Sequence, residues 1–450
     1  MKKKIAFILA FIICCSVFSS LFTSFAAYTP PEFNPKIDED AAIYMVNLDT
    51  GDVIYEQNAD KEMYPASLTK IMTTLLALEN TDDLDAHTVT AMNSLFNEFA
   101  GINISTAGIL GGETLTMRQL LYCMMLQSAN EAANMVAYDL GDDSIPNFVN
   151  MMNERAKELG CQNTNFANPH GLHSPSHYTT AKDMFLITQE ALKNPVFKEI
   201  CGSSRYTIDG TNMRDTFTLV STNYMMENGS KYYNPYVTGV KTGTTDEAGR
   251  CLISTATKDG YTYLTVVMGA PQTDENGNEL ADNLAFVYTN NLLDWAFDTF
   301  RVKTLVEAGE HIQELPLRLV WGQDYIPLAT GESFSALIPA DIDSTSVQII
   351  PNDDLPDYVK APITEGEKLG TATVVLSGEN IGTIDLIAGE SHEANMLLSI
   401  LDTIGSIFQS FWFKFFFALV IILVIGYIVL MIIRNHNRKK YKAIKQRRKL

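Results

Sequence analysis

The feature that most constrains this chain lies near its carboxyl end, where residues 415–433 (FFFALVIILVIGYIVLMII) carry no charge. A helix of this length can cross the roughly 30 Å hydrocarbon core of a bilayer. We therefore predict a transmembrane helix over residues 411–433. Residues 434–450 follow with nine lysines and arginines and no acid. The positive-inside rule then predicts a cytoplasmic tail, with the chain before the helix on the other side of the membrane.

The amino-terminal sequence predicts export. Residues 1–26 (MKKKIAFILAFIICCSVFSSLFTSFA) place three lysines before an apolar run that ends in small residues. This pattern is typical of a secretory signal peptide, and we expect the mature chain to begin near Ala27. Cys14 lies within the segment, but the bulky Ile13 before it argues against lipid attachment. We predict a single-pass protein of the cell membrane whose folded part is extracytoplasmic.

The exported part is strongly acidic. Residues 27–433 hold 21 of the 33 basic residues and all 53 acidic ones, which gives a formal charge of −32. Binding to nucleic acid requires a basic surface, so this composition argues against nucleic acid as a partner. The basic tail beside the membrane is better explained as a determinant of topology.

Four cysteines remain in the exported part, and the sequence leaves two interpretations of them open. Export permits disulfides, but a chain of this length needs no covalent links to build a core. Buried free thiols are the simpler interpretation. The cysteines are Cys123, Cys161, Cys201 and Cys251.

Residues 33–300 are expected to form one mixed α and β domain. Alternation in 41–60 and again in 249–270, around the turn residues Asp49-Thr50-Gly51 and Asp259-Gly260, predicts two hairpins. Apolar helical patterns lie between and after them. Strands at both ends of the domain indicate an antiparallel sheet packed against a helical lobe, an α+β fold. The predicted helices cover 66–80, 116–140, 146–159, 180–193 and 281–299.

The helical pattern disappears after this domain. Short β-rich runs separated by turn residues predict a small all-β domain over residues 306–390. Residues 391–410 are helical in pattern and partly apolar, so we expect an amphipathic segment that lies on the membrane surface before the span.

A possible nucleophile lies in YPASLTK, residues 64–70. On a helix, Ser67 and Lys70 are neighbours three positions apart. A neutral lysine amine can take the proton of a serine hydroxyl, and burial, a helix amino terminus or a second cation would all favour that neutral state. Taken alone, the pair is better explained as a helix cap followed by a surface lysine.

Two further motifs follow in order. Ser128-Ala129-Asn130 lies within an apolar helical pattern, where we expect it to face a cleft. Ser-x-Asn recurs at 221–223, which we assign to a loop or strand turn. Lys241-Thr242-Gly243 occurs once, at the predicted start of a strand, and alternation puts Lys241 and Gly243 on one face. A peptide could add there as a strand while Lys241 attracts a carboxylate.

Serine-x-x-lysine, serine-x-asparagine and lysine-threonine-glycine in this order are the motif set of penicillin-binding proteins and class A β-lactamases. Residues 33–300 resemble the low-molecular-mass penicillin-binding proteins that are D-alanyl-D-alanine carboxypeptidases (serine peptidase family S11). The β-rich region resembles their C-terminal domain. The resemblance implies the penicillin-binding/β-lactamase-like transpeptidase fold, no cofactor, a peptidoglycan pentapeptide as substrate and β-lactams as covalent inhibitors.

The same resemblance implies roles for individual residues. Ser67 matches the nucleophile, Lys70 its base and Ser128 the serine that passes a proton to the leaving D-alanine. Asn130 matches the residue that holds the substrate amide, and Lys241 the cation for the terminal carboxylate. Further binding residues are Thr242, Gly243, Thr244 and His170, and the backbone N–H groups of Ser67 and Thr244 match the oxyanion hole.

His170, His173 and His177 raise the alternative of a metal site. Gly171 and Pro175 would break any helix that aligned them, so we predict no metal. His-Gly-Leu at 170–172 is instead a feature of the family that this chain resembles, in which it borders the active site.

Two other functions remain as alternatives. A class A β-lactamase shares the three motifs but adds a glutamate that activates water, and residues 160–189 contain no glutamate. A catalytically silent, membrane-tethered wall-binding protein would keep the fold without the activity, but all the motif residues are present here.

Overall fold

The computed structural model of this protein describes residues 33, 35–340, 347–376 and 378–447, with side-chain surroundings as far as residue 438. The predicted signal peptide and the last three residues of the basic tail lie outside the described residues. Two compact units are present: residues 29–303 with 337–342, and residues 304–336 with 343–450.

The first unit contains nine complete strands among its described residues. Five of them form one antiparallel sheet in the order β2-β1-β9-β8-β7, and the other four form two small hairpins, β3-β4 and β5-β6. The strands are β1 (Ala42–Asn47), β2 (Val53–Gln57), β3 (Thr88–Thr90), β4 (Thr114–Thr116), β5 (Arg205–Ile208), β6 (Phe217–Val220), β7 (Val237–Thr245), β8 (Gly249–Lys258) and β9 (Tyr261–Ala270).

The sheet joins the two ends of the unit as the sequence predicts. β1 pairs with β9, so that Ala42 lies opposite Met268, and both predicted hairpins form. Alternate residues of β8 and β9 pack into different cores: Ile253 and Val266 face the helical lobe, whereas Leu252 and Val267 face the last helix of the unit. The sheet is therefore buried on both faces, which explains the long apolar runs in these strands.

The described residues of this unit also form seven α-helices. Three of them begin at hydroxyl caps: Thr116 with Gln119 in a capping box, Ser144 and Thr180. A 3-10 helix (Ala66–Thr69) precedes the first, and two others cover Asn93–Phe99 and Tyr224–Met226. The α-helices are α1 (Lys70–Glu79), α2 (Met117–Leu126), α3 (Asn130–Leu140), α4 (Ile145–Glu158), α5 (Ala181–Ala191), α6 (Pro195–Cys201) and α7 (Leu284–Thr299).

The prediction of one continuous helix over 116–140 is wrong. The helix ends at Leu126 and a new one begins at Asn130. Between them Ser128 has φ +59°, in the left-handed region that an α-helix does not use. Ser128 therefore lies in a tight turn between α2 and α3, and only Asn130 of the triplet belongs to a helix.

The second unit carries the predicted β-rich fold. Six strands form one sheet in the order β14-β16-β17-β12-β11-β15, around a core that includes Ile326, Leu328, Val374 and Leu386. The strands from here on are β10 (Phe300–Val306), β11 (His311–Arg318), β12 (Tyr325–Thr330), β13 (Phe334–Pro339), β14 (Val347–Pro351), β15 (Val359–Lys360), β16 (Lys368–Leu376) and β17 (Glu379–Ala388). By these bounds, β10 and β13 each belong partly to both units.

Two apolar helices follow, α8 (Met396–Gln409) and α9 (Phe411–Arg447). Residues 411–438 of α9 are long and apolar enough to cross a membrane. The helix continues beyond the predicted end of the span at residue 433 and into the basic tail. Cys123, Cys161, Cys201 and Cys251 are free; Cys161 is half-buried and the other three are buried.

Candidate active site

Ser67 and Lys70 lie side by side where the 3-10 helix meets α1. The sequence predicts an α-helix throughout, but the turn that carries Ser67 is 3-10, in which residues three apart eclipse one another. Ser67 Oγ lies 3.0 Å from Lys70 Nζ. The predicted pair is thus formed, with a tighter turn than expected.

Lys70 is fully buried, and its amine has two other partners. Lys70 Nζ lies 2.7 Å from Asn130 Oδ1 and 2.5 Å from the carbonyl oxygen of His170. Both of these atoms can only accept hydrogen bonds. They satisfy the two N–H groups of a neutral amine, so its lone pair is left to accept the proton of the Ser67 hydroxyl.

The electrostatics favour that neutral amine. Burial lowers the pKa of Lys70 well below its usual range, and the nearby charge of Lys241 lowers it further, while Glu131 opposes both. The sequence pointed to burial and a second cation, and both are present. Neutral Lys70 can therefore act as a general base near neutral pH.

Ser128 lies in the turn between α2 and α3 and is 4 % exposed. Its Oγ has no hydrogen-bond partner among the described residues. A buried hydroxyl without a partner is uncommon, because desolvation of the group is then uncompensated. The strained turn and the free hydroxyl are both typical of a functional position.

The lysine of the third motif lies inside β7, the edge strand of the sheet, and not at the start of a strand as predicted. Lys241 is 1 % exposed, and its Nζ donates to the carbonyl of Thr242 at 2.9 Å. Burial lowers the pKa of Lys241 to about 7. Thr244, three residues further on, is exposed.

Gly243 faces the nucleophile directly. A Cβ atom at this position would lie 3.1 Å from Ser67 N and 3.2 Å from the carbonyl oxygen of Pro65. We expected the missing side chain to make room for a substrate backbone. The structure shows that it lets β7 approach the turn of Ser67, so the glycine is needed for the site itself.

The His-Gly-Leu segment closes the other side of that turn. Gly171 has φ +89°, and a Cβ there would lie 1.8 Å from the carbonyl oxygen of Ala66. Nδ1 of His170 accepts the N–H of Leu172, so a neutral imidazole carries its proton on Nε2, 3.5 Å from Glu98 Oε1. Burial lowers the pKa of His170, which is consistent with the neutral ring.

The three histidines have separate partners. Thr69 Oγ1 lies 2.8 Å from His177 Nε2, and Ala167 N donates to His177 Nδ1. Burial lowers the pKa of His177 to about 3. His173 packs edge-on against Tyr64 and lies 3.9 Å from Glu247. His170 and His177 thus support the segments around the site rather than converging on one point.

These elements border a cleft of about 620 Å³. Ser67, Asn130 and Thr244 line it, together with an extended segment at 102–105, residues 171–173 and the acidic pair Asp246 and Glu247. The structure therefore brings seven of the predicted residues to one place. Ser67 and Lys70 are in direct contact, Asn130 and the carbonyl of His170 accept from Lys70, and Lys241, Gly243 and Thr244 lie on the adjoining strand.

Sequence reasoning missed several residues of the site. Glu131 follows Asn130 and is buried; its Oε1 accepts from Thr106 Oγ1 at 2.6 Å and from Ala107 N at 2.7 Å, which holds the cleft segment against α3. Thr222, in the second Ser-x-Asn copy, lies 2.5 Å from Thr242 through the two hydroxyls. That copy is in a loop, as predicted. A glutamate inside an apolar helical pattern was the available signal for Glu131.

An antiparallel sheet with a helical lobe, and between them a serine paired with a buried neutral lysine, define a serine hydrolase of the penicillin-binding class. Comparison with known proteins agrees. Residues 27–272 match the family described as D-alanyl-D-alanine carboxypeptidase, peptidase S11, and residues 300–394 match the C-terminal domain of penicillin-binding protein 5. The chain belongs to the D-alanyl-D-alanine carboxypeptidase family.

Individual relatives cover most of the chain. It is 31 % identical over 373 residues to D-alanyl-D-alanine carboxypeptidase DacF of Bacillus subtilis. The aligned residues cover 82 % of this chain and 89 % of that protein. It is 29 % identical over 397 residues to DacC of Escherichia coli, 84 % and 90 % respectively. Penicillin-binding protein 5 of Haemophilus influenzae has a similar structure, with a TM-score of 0.61, 26 % identity, and coverage of 81 % and 99 %.

The fold and enzyme class expected from the three motifs are therefore confirmed. The chain is a serine-type D-Ala-D-Ala carboxypeptidase of the penicillin-binding class. The alternatives of a β-lactamase and of a silent wall-binding protein are not favoured. A peptidoglycan peptide as substrate and binding of β-lactams are consistent with this family.

Proposed function

We propose that Ser67 attacks the carbonyl carbon between the two terminal D-alanines of a peptidoglycan stem pentapeptide, with Lys70 as its base. The observation that carries this is the set of partners around Lys70 Nζ. Two acceptors occupy its N–H groups, and burial lowers its pKa, so the amine is prepared to take the Ser67 proton. As the Oγ–C bond forms, the charge that develops on the carbonyl oxygen is stabilised by the N–H groups of Ser67 and Thr244.

Collapse of that intermediate breaks the C–N bond and releases D-alanine. Its nitrogen takes a proton from Ser128, whose buried hydroxyl has no hydrogen-bond partner among the described residues, and Ser128 is reprotonated from Lys70. The ester on Ser67 is then hydrolysed by water, with Lys70 again as base. The cycle restores the enzyme and leaves a tetrapeptide.

The substrate lies along the open edge of β7 in this proposal. Lys241 binds the terminal carboxylate, with Thr242 and Thr244 beside it, and Gly243 keeps the strand close to Ser67. Asn130 holds the substrate amide and also accepts a hydrogen bond from Lys70. The carbonyl oxygen of His170 is the second acceptor for that lysine.

Intact-mass measurement with penicillin tests the proposal. We expect one adduct per chain, absent in Ser67→Ala, together with loss of D-alanine release of at least about 10³-fold. Ser221→Ala is the matched control, because it changes the serine of the other Ser-x-Asn copy, and it should retain the adduct. Adduct formation by the Ser67→Ala chain would refute the assignment.

The adduct should be long-lived. Residues 160–189 contain no glutamate, and Glu131 is committed to Thr106 and Ala107. A β-lactamase would lose the added mass within seconds, whereas we expect it to persist through many turnover times of the peptide substrate.

We also propose the topology and the domain boundaries. Residues 1–26 are removed as a signal peptide, 33–300 are the catalytic domain and 306–390 the β-rich domain, both extracytoplasmic. Residues 391–410 lie on the membrane surface, 411–433 span the membrane, and 434–450 remain in the cytoplasm. The apolar helix Phe411–Arg438 supports the anchor, and the basic tail supports its direction.

Labelling of intact cells with a membrane-impermeant maleimide tests the topology. A cysteine added after Leu450 should be protected, and one at the exposed position Glu332 should react. The reverse pattern would overturn the proposed orientation.

A further inference from the structure

Helix α8 has its apolar side exposed. Leu398, Ser399, Asp402 and Gly405 are half-buried, whereas the other face carries large apolar side chains that are 44 to 79 % exposed. A surface helix of a soluble domain has the opposite arrangement. The exposed apolar residues are Met396, Leu397, Ile400, Leu401, Ile404, Ile407 and Phe408.

The same helix is held to the β-rich domain at two points. Asn395, which caps the helix, donates its backbone N–H to the carbonyl of Leu319 at 2.7 Å. Further along, Asp402 lies 2.7 Å from Lys360 Nζ, and it is the only charged residue within α8. The helix therefore has a fixed orientation on the domain, with its one charge neutralised on the side away from the apolar face.

An exposed tryptophan, Trp321, lies two residues after Leu319. Trp321 is 75 % exposed in the turn between β11 and β12, and Tyr325 at the start of β12 is 54 % exposed. Gly322 beside it has φ +85° and open space around it, which is typical of a protruding turn. Tryptophan is costly to expose to water and is enriched at the headgroup level of bilayers.

We propose that the β11–β12 turn is a second membrane contact, in which Trp321 inserts into the headgroup layer beside α8. We infer that lipid covers this surface because α8 leads through Ser410 directly into α9, the proposed span. The turn and the helix then form one lipid-facing surface at the end of the β-rich domain. This inference rests on the membrane anchor put forward under the proposed function.

A membrane contact at the β11–β12 turn would orient the β-rich domain relative to the bilayer. Contact through α8 alone leaves the domain free to tilt about the helix axis, whereas a second contact at the turn fixes the domain relative to the bilayer plane. Burial of the apolar part of the indole ring in the interface also strengthens binding to the membrane.

Tryptophan fluorescence in the full chain tests the inference, because the sequence has only three tryptophans. Three single-tryptophan variants are placed in nanodiscs of phosphatidylethanolamine and phosphatidylglycerol: W295F/W412F, W295F/W321F and W321F/W412F. Brominated acyl chains quench from the lipid, and acrylamide quenches from water. Trp412, in the span, is the positive control, and Trp295, which packs on Phe33 and Phe300, is the negative control.

We expect Trp321 to be quenched by brominated lipid to an extent comparable with Trp412, and Trp295 to be unaffected. Quenching of Trp412 without quenching of Trp321 overturns the second contact and leaves the anchor intact. Protection of Trp321 from both quenchers would indicate a protein partner and also overturns it. If Trp412 is not quenched, the anchor itself fails, and the inference fails with it.

A measurement on the unchanged sequence removes any dependence on folding of the variants. A phosphatidylcholine with a photoactivatable acyl chain is included in the same nanodiscs, and the cross-linked peptides are sequenced by mass spectrometry. Adducts at 320–325 as well as in 396–430 support the second contact. Adducts confined to 396–430 contradict it.

Discussion

Lys70 Nζ lies 2.7 Å from Asn130 Oδ1, so the residue proposed to hold the substrate also controls the proposed base. The amide oxygen is neutral and accepts one N–H without stabilising the ammonium form as a carboxylate would. This choice of side chain matters because Glu131, the next residue, already raises the pKa of Lys70 against the effect of burial. A second acidic group in contact would return Lys70 to its charged state.

Asn130→Asp should therefore impair acylation at neutral pH and recover it at higher pH. The new carboxylate favours the ammonium form of Lys70, so the acid limb of the penicillin acylation rate should move to higher pH by about one to three pH units. Asn130→Ala is the control, since it removes the same amide without adding charge. An acid limb at the same pH in Asn130→Asp and in the unchanged protein would contradict this account.

Replacement of the base itself should slow acylation and remove the acid limb that protonation of Lys70 causes. Lys70→Met and Lys70→Arg both remove the amine that can act as a base. Methionine has no amine, and the guanidinium of arginine stays charged in proteins. We expect either change to slow acylation by about 10²- to 10⁴-fold at the pH optimum, and the residual rate to lack the acid limb of the unchanged protein. Lys193→Arg, at an exposed lysine paired with Glu190, should leave the rate unchanged. Activity of Lys70→Arg close to normal would show that charge, and not proton transfer, is what this position supplies.

The close approach of the His-Gly-Leu segment to the nucleophile predicts a specific effect of Gly171→Ala. The new Cβ would meet the carbonyl oxygen of Ala66 at 1.8 Å, in addition to the strain of φ +89°. Gly160→Ala is a close control, with φ +88° and nothing within 4 Å. We expect Gly171→Ala to lower the free energy of unfolding by about 1–3 kcal/mol more than Gly160→Ala, and to reduce acylation as well.

Denaturant unfolding and penicillin binding of both variants measure this difference. Equal destabilisation by the two changes would mean that the contact with Ala66 contributes nothing beyond backbone strain.

A smaller displacement is expected at Gly243→Ala. The added Cβ would lie 3.1 Å from Ser67 N, so that N–H must shift by a few tenths of an ångström. Because this N–H is proposed to stabilise the oxyanion, kcat should fall by about 10²- to 10³-fold with little change in KM. Gly405→Ala, where a Cβ meets nothing within 4 Å, should have no effect on kcat. A rise in KM alone would instead favour a role of Gly243 in substrate access.

The sequence predicted the sheet and the three motifs well because each rests on local signals. Both hairpins have a turn dipeptide between alternating runs, and the motif spacings are short. The break at Ser128 was missed because apolar residues recur at helical spacing on both sides of it, from Met117 to Leu140, and the turn depends on how α2 and α3 pack. A left-handed serine has no signature in a hydrophobic pattern.

The charges around the site were harder to predict, for a related reason. Glu98 and Glu131 look like ordinary acidic residues in the sequence. In the fold, Glu98 approaches His170, and Glu131 accepts from the Thr106 hydroxyl and from Ala107 N. Lys241 was placed correctly on a strand, but its burial depends on the turn of Ser67, which is 174 positions earlier. Contacts of such range set the pKa values, and single-sequence patterns do not carry them.

The pKa of Lys241 gives a prediction for the pH dependence of substrate binding. Burial lowers it from the ordinary lysine value to about 7, so the free enzyme carries the ammonium below this pH and loses it above. The carboxylate of the terminal D-alanine needs the charged form. Since kcat/KM reports the free enzyme, its alkaline limb should lie near pH 7, while the acid limb follows protonation of Lys70.

A pentapeptide with a C-terminal amide separates this effect from the others. It has no carboxylate to pair with Lys241, so its kcat/KM should be lower at pH 6 and lack the alkaline limb, while the acid limb stays in place. Lys241→Arg should remove the limb for the acid substrate too, because arginine remains charged. Release of D-alanine and of D-alaninamide across pH 5 to 10 measures both substrates. An identical alkaline limb for the two would assign it to a group other than Lys241.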